Sequence, residues 1–380
     1  MRFYLTPRCT RRAAGRQSGM GHRGNHTDSV RRVTTPVSNS TFLDAARGRQ
    51  SAHTPVWFMR QAGRSLPEYK AVRGEGSILH AIKDPAVAAQ ITLQPVRRYG
   101  VDAAVLYSDI VVPAHAIGFG IDVAPGTGPV ATVPFRSAAD LSRVRPFEPE
   151  VDTPYVIETC RILAAELTVP LLAFAGAPFT VASYLIEGRP SRTYEHTKAL
   201  MHTDEATWHS LMDRLADHAV ASIRSQLDAG GAAFQLFDSW AGALSSIDYQ
   251  RFAMPHSAKV FAELAASHPE APGIHFGIGC DHILEPMYAA GASVMGLDWR
   301  TRITDARRRL GASTVVQGNL DPALVLAGWE VARPGCDDVL ADNARHPGHI
   351  FNLGHGVQPN TDPGVLEHVV AYVHERTQRR

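Results

Sequence analysis

The fold class this sequence predicts is α/β: a single (β/α)8 barrel of the TIM type behind a disordered N-terminal extension. Three observations predict it. Eight short apolar, β-rich runs recur from residue 54 onward, with helical patterns in the gaps. Each run ends in polar residues or glycine, as strands feeding one catalytic face would. The GxGxxG fingerprint does not follow the first run, which leaves a doubly wound sheet as the second choice.

The runs justify themselves in order. The first spans 55–59 and the second 102–107, with a helix predicted over 85–98 between them. Glycines at 118 and 120 and around 125–129 mark a hairpin inserted after the second run. A helix over 154–167 precedes the third run, 170–175, and one over 205–229 precedes the fourth, 232–237. The fifth run, 273–277, follows a helix over 249–267, and the sixth, 293–297, follows one over 282–290. The seventh, 314–317, is flanked by helices over 304–310 and 322–344. The eighth, 349–353, leads to a closing helix over 365–376. Pro85, Pro154 and Pro322 fall where a first-turn proline is tolerated, and Gly230, Gly291 and Gly311 where a helix ends.

Composition bounds the function. The chain has 380 residues, 44% hydrophobic and 20% charged, enough to bury a large core without staples. No apolar run reaches the ~18 residues of a membrane helix. Cys9, Cys160, Cys280 and Cys336 lie far apart with no CxxC, which excludes a disulfide scaffold, argues against a structural zinc site and points to a reduced cytoplasm. The net charge of +1 hides an asymmetry: residues 1–40 hold eight arginines against Asp28 alone, so the remainder is net negative. That body has no basic field for nucleic acid. An anionic ligand would need local arginines.

Two units follow: 1–40, a basic extension, and 41–380, the barrel. The extension is rich in Arg, Ser, Thr and Gly with little apolar periodicity, so it cannot offset its ordering entropy. It reads as a tail or as a start codon assigned too early, Met20 being a later candidate. A transit peptide or nucleic-acid tail stays open beside these.

Barrel chemistry sits at the C-terminal strand ends. There the sequence places Arg60, Arg64 and Arg73; Ser108 and Asp109; Tyr184 beyond Gly176; Asp238 and Ser239; Gly279 and Asp281; Asp298 and Arg300; Gly318 and Asn319; and His355 between Gly354 and Gly356.

The stretch from Pro55 to Tyr69, PVWFMRQAGRSLPEY, closely resembles the signature of the uroporphyrinogen decarboxylase family. Gly176 to Thr180 with Tyr184 to Gly188, and Asn352 to Gly356 (NLGHG), are similar to two further family motifs. The resemblance begins near Thr41 and runs to the C-terminus. It implies a TIM barrel that removes the four acetate carboxyl groups of uroporphyrinogen III, giving coproporphyrinogen III for heme biosynthesis. It implies no cofactor, no metal and a homodimer.

The resemblance also implies roles. Arg60 and Arg64 line the pocket, and guanidinium forks suit carboxylates. Arg60 would orient an acetate and deliver a proton, although a pKa above ~12 makes arginine a poor acid. Asp109 would accept the pyrrole N–H groups and stabilise the protonated ring. Tyr184, Ser239 and His355 would contact substrate carboxylates, with Arg73 as a further binding candidate. Arg60, Asp109, Tyr184 and His355 form the expected catalytic set. Plainer readings stand beside these: a surface salt bridge for the arginines, an N-cap or Asx turn for Asp109, a helix cap for Ser239, a satisfied rim histidine for His355 and a core position for Tyr184. Phe58, Phe179 and Phe237 could wall the pocket or belong to the core.

Two rivals remain. A related barrel methyltransferase binds zinc through a His-x-Cys motif and a later cysteine, but His275 and Cys280 have the wrong spacing and Cys336 lies far downstream. A barrel that only binds a tetrapyrrole or a partner is disfavoured by the intact candidate set.

Overall fold

The computed structural model describes residues 40–379 apart from 64, 75, 76 and 125; the extension 1–39 and Arg64 lie outside the described residues. The described residues hold nine strands: β1 (Ala104–Val105), β2 (Ile121–Ala124), β3 (Gly128–Ala131), β4 (Leu171–Gly176), β5 (Ala233–Phe237), β6 (Gly273–Phe276), β7 (Val294–Gly296), β8 (Val315–Gln317) and β9 (His349–Ile350). Seven form one parallel sheet in the order β1-β4-β5-β6-β7-β8-β9, while β2 and β3 make the expected antiparallel hairpin. The parallel strands are buried on both faces, so their sequences are mostly apolar rather than alternating, with Gln235, His275 and Gln317 as buried polar exceptions.

The first run does not form a five-residue strand. Only Val56 pairs, as a parallel bridge to Phe351. Phe351 N–H donates to Pro55 C=O at 2.8 Å on one side, and Asp102 N–H donates to Val56 C=O at 2.8 Å on the other. Residues 55–57 therefore lie between the end of β9 and the approach to β1, and close the sheet on itself. The ladder stops there because side chains take the next backbone donors. Gln61 Oε1 accepts from Phe58 N–H at 3.0 Å, and Asn352 Oδ1 accepts from Met59 N–H at 3.3 Å. The curl also shows inside the sheet. Gln317 on β8 donates to Gln235 on β5 at 2.9 Å, and Trp57 Nε1 donates to Gln317 at 2.9 Å.

Helices cover the outside. Pro85–Tyr99 starts at Asp84, whose carboxylate accepts from Ala86 and Val87, and packs on Pro154–Glu166. Glu205–Asp228 packs on Met254–Ser267. The predicted 249–267 helix opens as a π-helical turn, Tyr249–Ala253, before Pro255 sets the α-helix. The predicted 322–344 helix splits into Pro322–Leu326 and Trp329–Asn343, where Gly328 takes φ +105°. Pro363–Thr377 ends the chain. Among the described residues, no helix is long and apolar enough to cross a membrane.

Candidate active site

The loop after residues 55–57 is fixed by its backbone. Gln61 N–H returns to Phe58 C=O at 3.0 Å, and Gln61 Nε2 reaches Ala103 C=O at 2.9 Å, anchoring the turn to β1. Arg60 sits in that turn with φ +62°, a left-handed conformation that costs about 1–3 kcal/mol for a non-glycine residue and that only surrounding contacts sustain. Its exposed side chain lies over Gly356. A Cβ at Gly356 would stand 2.6 Å from Arg60 Cδ and 2.9 Å from Cγ. The absence of that Cβ makes room for the arginine stem.

β1 leaves the sheet after Val105. Beyond that point Gln226 takes over the backbone of β4, accepting from Phe174 N–H and donating to Phe174 C=O, each at 3.0 Å. The divergence exposes Ser108 and Asp109 beside a narrow gap lined by Phe174, Ser222 and Gln226, a packing cleft on the helix side of the sheet. Asp109 is half-buried, and its Oδ1 accepts from Val111 N–H at 3.1 Å, so the Asx-turn reading is correct for one oxygen. A carboxylate can accept several N–H bonds at once. Nearby, Tyr107 and Tyr69 share a 3.0 Å hydroxyl bond, and the Arg73 guanidinium lies 6.0 Å from the Tyr69 ring centre. Burial, then the bond from Tyr69, pushes the Tyr107 hydroxyl far up and keeps it protonated.

Tyr184 makes an aromatic contact with the residue that follows Ser239. Tyr184, on helix Pro178–Glu187, lies against Trp240 with ring centres 3.8 Å apart, and the Tyr194 ring centre lies 5.1 Å from that of Trp240. Ser239 precedes Trp240 and is half-buried. It does not cap the next helix, Ala241–Ala243, which starts from Trp240 with no side-chain cap. Phe58 and Phe179 are fully buried core residues; Phe237 is half-buried against Phe174 and Phe276.

The later strand ends are mostly scaffolding. Asp298 accepts from Gly279 N–H at 2.6 Å and binds Arg300 Nη1 at 2.6 Å, while Asn319 Nδ2 donates to Asp298 C=O at 2.7 Å. Asp238 is fully buried and bonded to Thr180 at 2.9 Å, and Asp281 pairs with Arg309 at 2.8 Å. The rim rule thus gathers clamps together with site candidates. Gly354 lies against the Trp299 backbone, where a Cβ would be 2.3 Å from Trp299 N. His355 follows, half-buried, its Nδ1 accepting from Gly356 N–H at 2.5 Å, which leaves Nε2 to carry the proton of a neutral ring.

The structure brings Arg60 to Gly356 beside His355, Arg73 to the Tyr69–Tyr107 pair near Asp109, and Tyr184 to Trp240 beside Ser239. All stand after C-terminal strand ends. Sequence reasoning missed Trp240, the Tyr69–Tyr107 bond and the locking roles of Gln61 and Asn352; Gln61 and Tyr69 lie in the first motif and Asn352 opens the last, while Trp240 and Tyr107 carried no motif signal. The zinc-methyltransferase ligand set is not assembled. His275 bonds Met287 C=O through Nδ1, and burial pushes the Cys280 thiol well up and the Cys336 thiol to about 12. Among the described residues, the one three-member group of metal-ligand type is His53, Asp102 and His374, at the other end of the strands.

Comparison with known proteins supplies the remaining observation. The family described as uroporphyrinogen decarboxylase (URO-D) matches residues 37–376. A uroporphyrinogen decarboxylase of Salinispora tropica is 54% identical over 343 residues, covering 90% of this chain and 92% of that protein. One from Streptomyces coelicolor is 52% identical, covering 91% and 97%. Among solved structures, a methyltransferase from Methanosarcina mazei superimposes with a TM-score of 0.71 at 17% identity, covering 88% of this chain and 97% of its own, a likeness of fold alone.

Proposed function

The chain belongs to the uroporphyrinogen decarboxylase family, and from that premise we infer that it converts uroporphyrinogen III to coproporphyrinogen III without a cofactor. Each acetate side chain loses CO₂ and becomes a methyl group. Breaking the C–C bond leaves an electron pair, and a pyrrole protonated on a ring carbon accepts it. A second proton then converts the resulting exocyclic methylene to methyl as the ring loses the first. The protein must hold an octa-anionic substrate, manage protons and stabilise a cationic ring.

The roles assigned here follow from those needs. Asp109 accepts pyrrole N–H groups and offsets the ring's positive charge, which low dielectric strengthens. Arg60, Arg64 and Arg73 bind carboxylates, with Arg60 orienting the acetate that reacts and standing nearest to proton delivery. Tyr184, Ser239 and His355 donate hydrogen bonds to the remaining carboxylates. The observation that carries this reading is the packing of Arg60 on Gly356, which joins the first and last motifs of the family at one rim. A homodimer in the cytoplasm completes the proposal. Sedimentation at micromolar concentration tests the dimer, and a monomer refutes it.

The test of function is an anaerobic assay with uroporphyrinogen and no added cofactor or metal, followed by chromatography of the oxidised products. Seven-, six-, five- and four-carboxylate species are expected. Folded protein that yields none overturns the reading.

A further inference from the structure

We propose that His53, Asp102 and His374 form a structural site for a divalent transition-metal ion of the zinc type, at the end of the barrel opposite the reaction rim. The three residues come from distant parts of the chain. His53 precedes the closing segment, Asp102 stands just ahead of β1, and His374 lies in the last turn of Pro363–Thr377. His53 Nε2 is 2.9 Å from Asp102 Oδ1, and His374 Nε2 is 2.7 Å from Asp102 Oδ2. The ligating atoms all lie within 4.8 Å of one another, and the imidazole ring centres are 4.0 Å apart. The side chains are 19%, 13% and 24% exposed, shielded yet reachable by an ion and a water.

The donor chemistry fits the ion. Two imidazoles and a carboxylate suit zinc and its neighbours, with a water as fourth ligand. Ligands about 2.0–2.1 Å from such an ion stand roughly 2.8–3.4 Å apart at angles between 90° and 110°. The nitrogen–oxygen separations need only a few tenths of an ångström of adjustment. Without metal, each Nε2 must hold a proton to bond Asp102; an ion would replace those protons. Val56 N–H donates to Asp102 Oδ2 at 2.7 Å and fixes the carboxylate from behind. The same seam already holds Thr54 N–H on Thr377 Oγ1 and Arg379 N–H on Ala52 C=O, both at 2.9 Å. An ion here would pin the final helix where the barrel closes, away from the chemistry.

The experiment uses the full chain stripped with chelator, titrated with Zn²⁺ by calorimetry against a competing chelator at pH 7.5. One saturable equivalent is expected. At 100 times Kd it should raise Tm by roughly 3 °C for a chain of this length. His53→Gln and His374→Gln keep an amide donor toward Asp102; each should weaken Zn²⁺ binding at least about 100-fold while leaving decarboxylation unchanged. No saturable equivalent, or one that survives both substitutions, overturns the proposal. If a variant fails to fold, Co²⁺ bound to wild-type protein decides. Ligand-field bands without a thiolate charge-transfer band support the site, and a thiolate band or no bands refutes it.

Discussion

Gly356→Ala is the sharpest probe of the rim, because it perturbs Arg60 without touching it. Gly356 is not among the glycines with positive φ, so alanine meets no backbone strain and acts only through its methyl group. That Cβ would be 2.6 Å from Arg60 Cδ, 2.9 Å from Cγ and 3.2 Å from Nε, where ordinary contact begins at 3.4 Å. The stem must therefore move by about 0.8 Å. Its backbone cannot share the move, since Val357 N–H holds Met59 C=O at 2.9 Å and Gln61 N–H holds Phe58 C=O. The shift falls on the side-chain torsions and is levered to about 1 Å or more at the guanidinium. A misplacement of about 1 Å costs on the order of 100-fold in rate, near 2.7 kcal/mol of barrier. The assay is anaerobic turnover, with kcat and KM for the first decarboxylation and a melting curve as control. The expected result is a kcat/KM lower by about 10- to 100-fold with a folded protein. Wild-type kcat/KM in this variant would refute the claim that Arg60 works from this position.

Three other outcomes are expected. Asp109→Asn keeps an oxygen for the Val111 turn bond, so Tm should hold within about 2 °C while turnover falls by roughly 100-fold or more; wild-type rates would remove Asp109 from the mechanism. Arg307 is buried, its guanidinium pushed by that burial to about 10, and it donates to Thr314 C=O, Asn343 Oδ1 and Gly348 C=O at 3.1, 2.7 and 2.8 Å; Arg307→Met should cost about 3–5 kcal/mol by chemical denaturation, and a loss under 1 kcal/mol would contradict it. His349 is fully buried, and burial pushes its pKa down to about 4 although Nε2 donates to Gly318 C=O at 2.8 Å. The unfolded chain takes up that proton near pH 6.5 and the folded one only near 4, so stability present above 6.5 drains away as pH falls between them, by about 1.4 kcal/mol per unit. His349→Gln should flatten the Tm-against-pH curve in that window, and an unchanged slope would rule the histidine out.

The strands were legible because burial on both faces writes itself as a mostly apolar run, and seven runs appear as paired strands. The first run, equally apolar, pairs at Val56 alone. Its competitor is partly 293 positions away, where the Asn352 side chain takes Met59 N–H. No local pattern carries that information. The 322–344 helix was overextended for a local reason: Gly328 has the freedom to break it, but a glycine does not oblige a break.

The two aspartates flanking β1 show what sequence reading of a site can and cannot do. Asp102 and Asp109 bracket the same short run and look alike in the chain. Strand direction separates them. Asp109 falls at the C-terminal end, where the sheet opens after Val105 and Gln226 replaces β1 as the partner of β4. Asp102 falls at the N-terminal end, where burial would raise its pKa but the bonds from His374 and His53 outweigh that and hold it low. The rule that chemistry gathers at C-terminal strand ends points to the first and not to the second, because it looks at one pole of the barrel only. Closure of the sheet through residues 55–57 serves both poles: it sets Arg60 over Gly356 at one end and His53 against Asp102 at the other. A change that loosens that seam, such as Val56→Gly, should therefore weaken rim catalysis and base stability together, whereas changes confined to either pole should separate them.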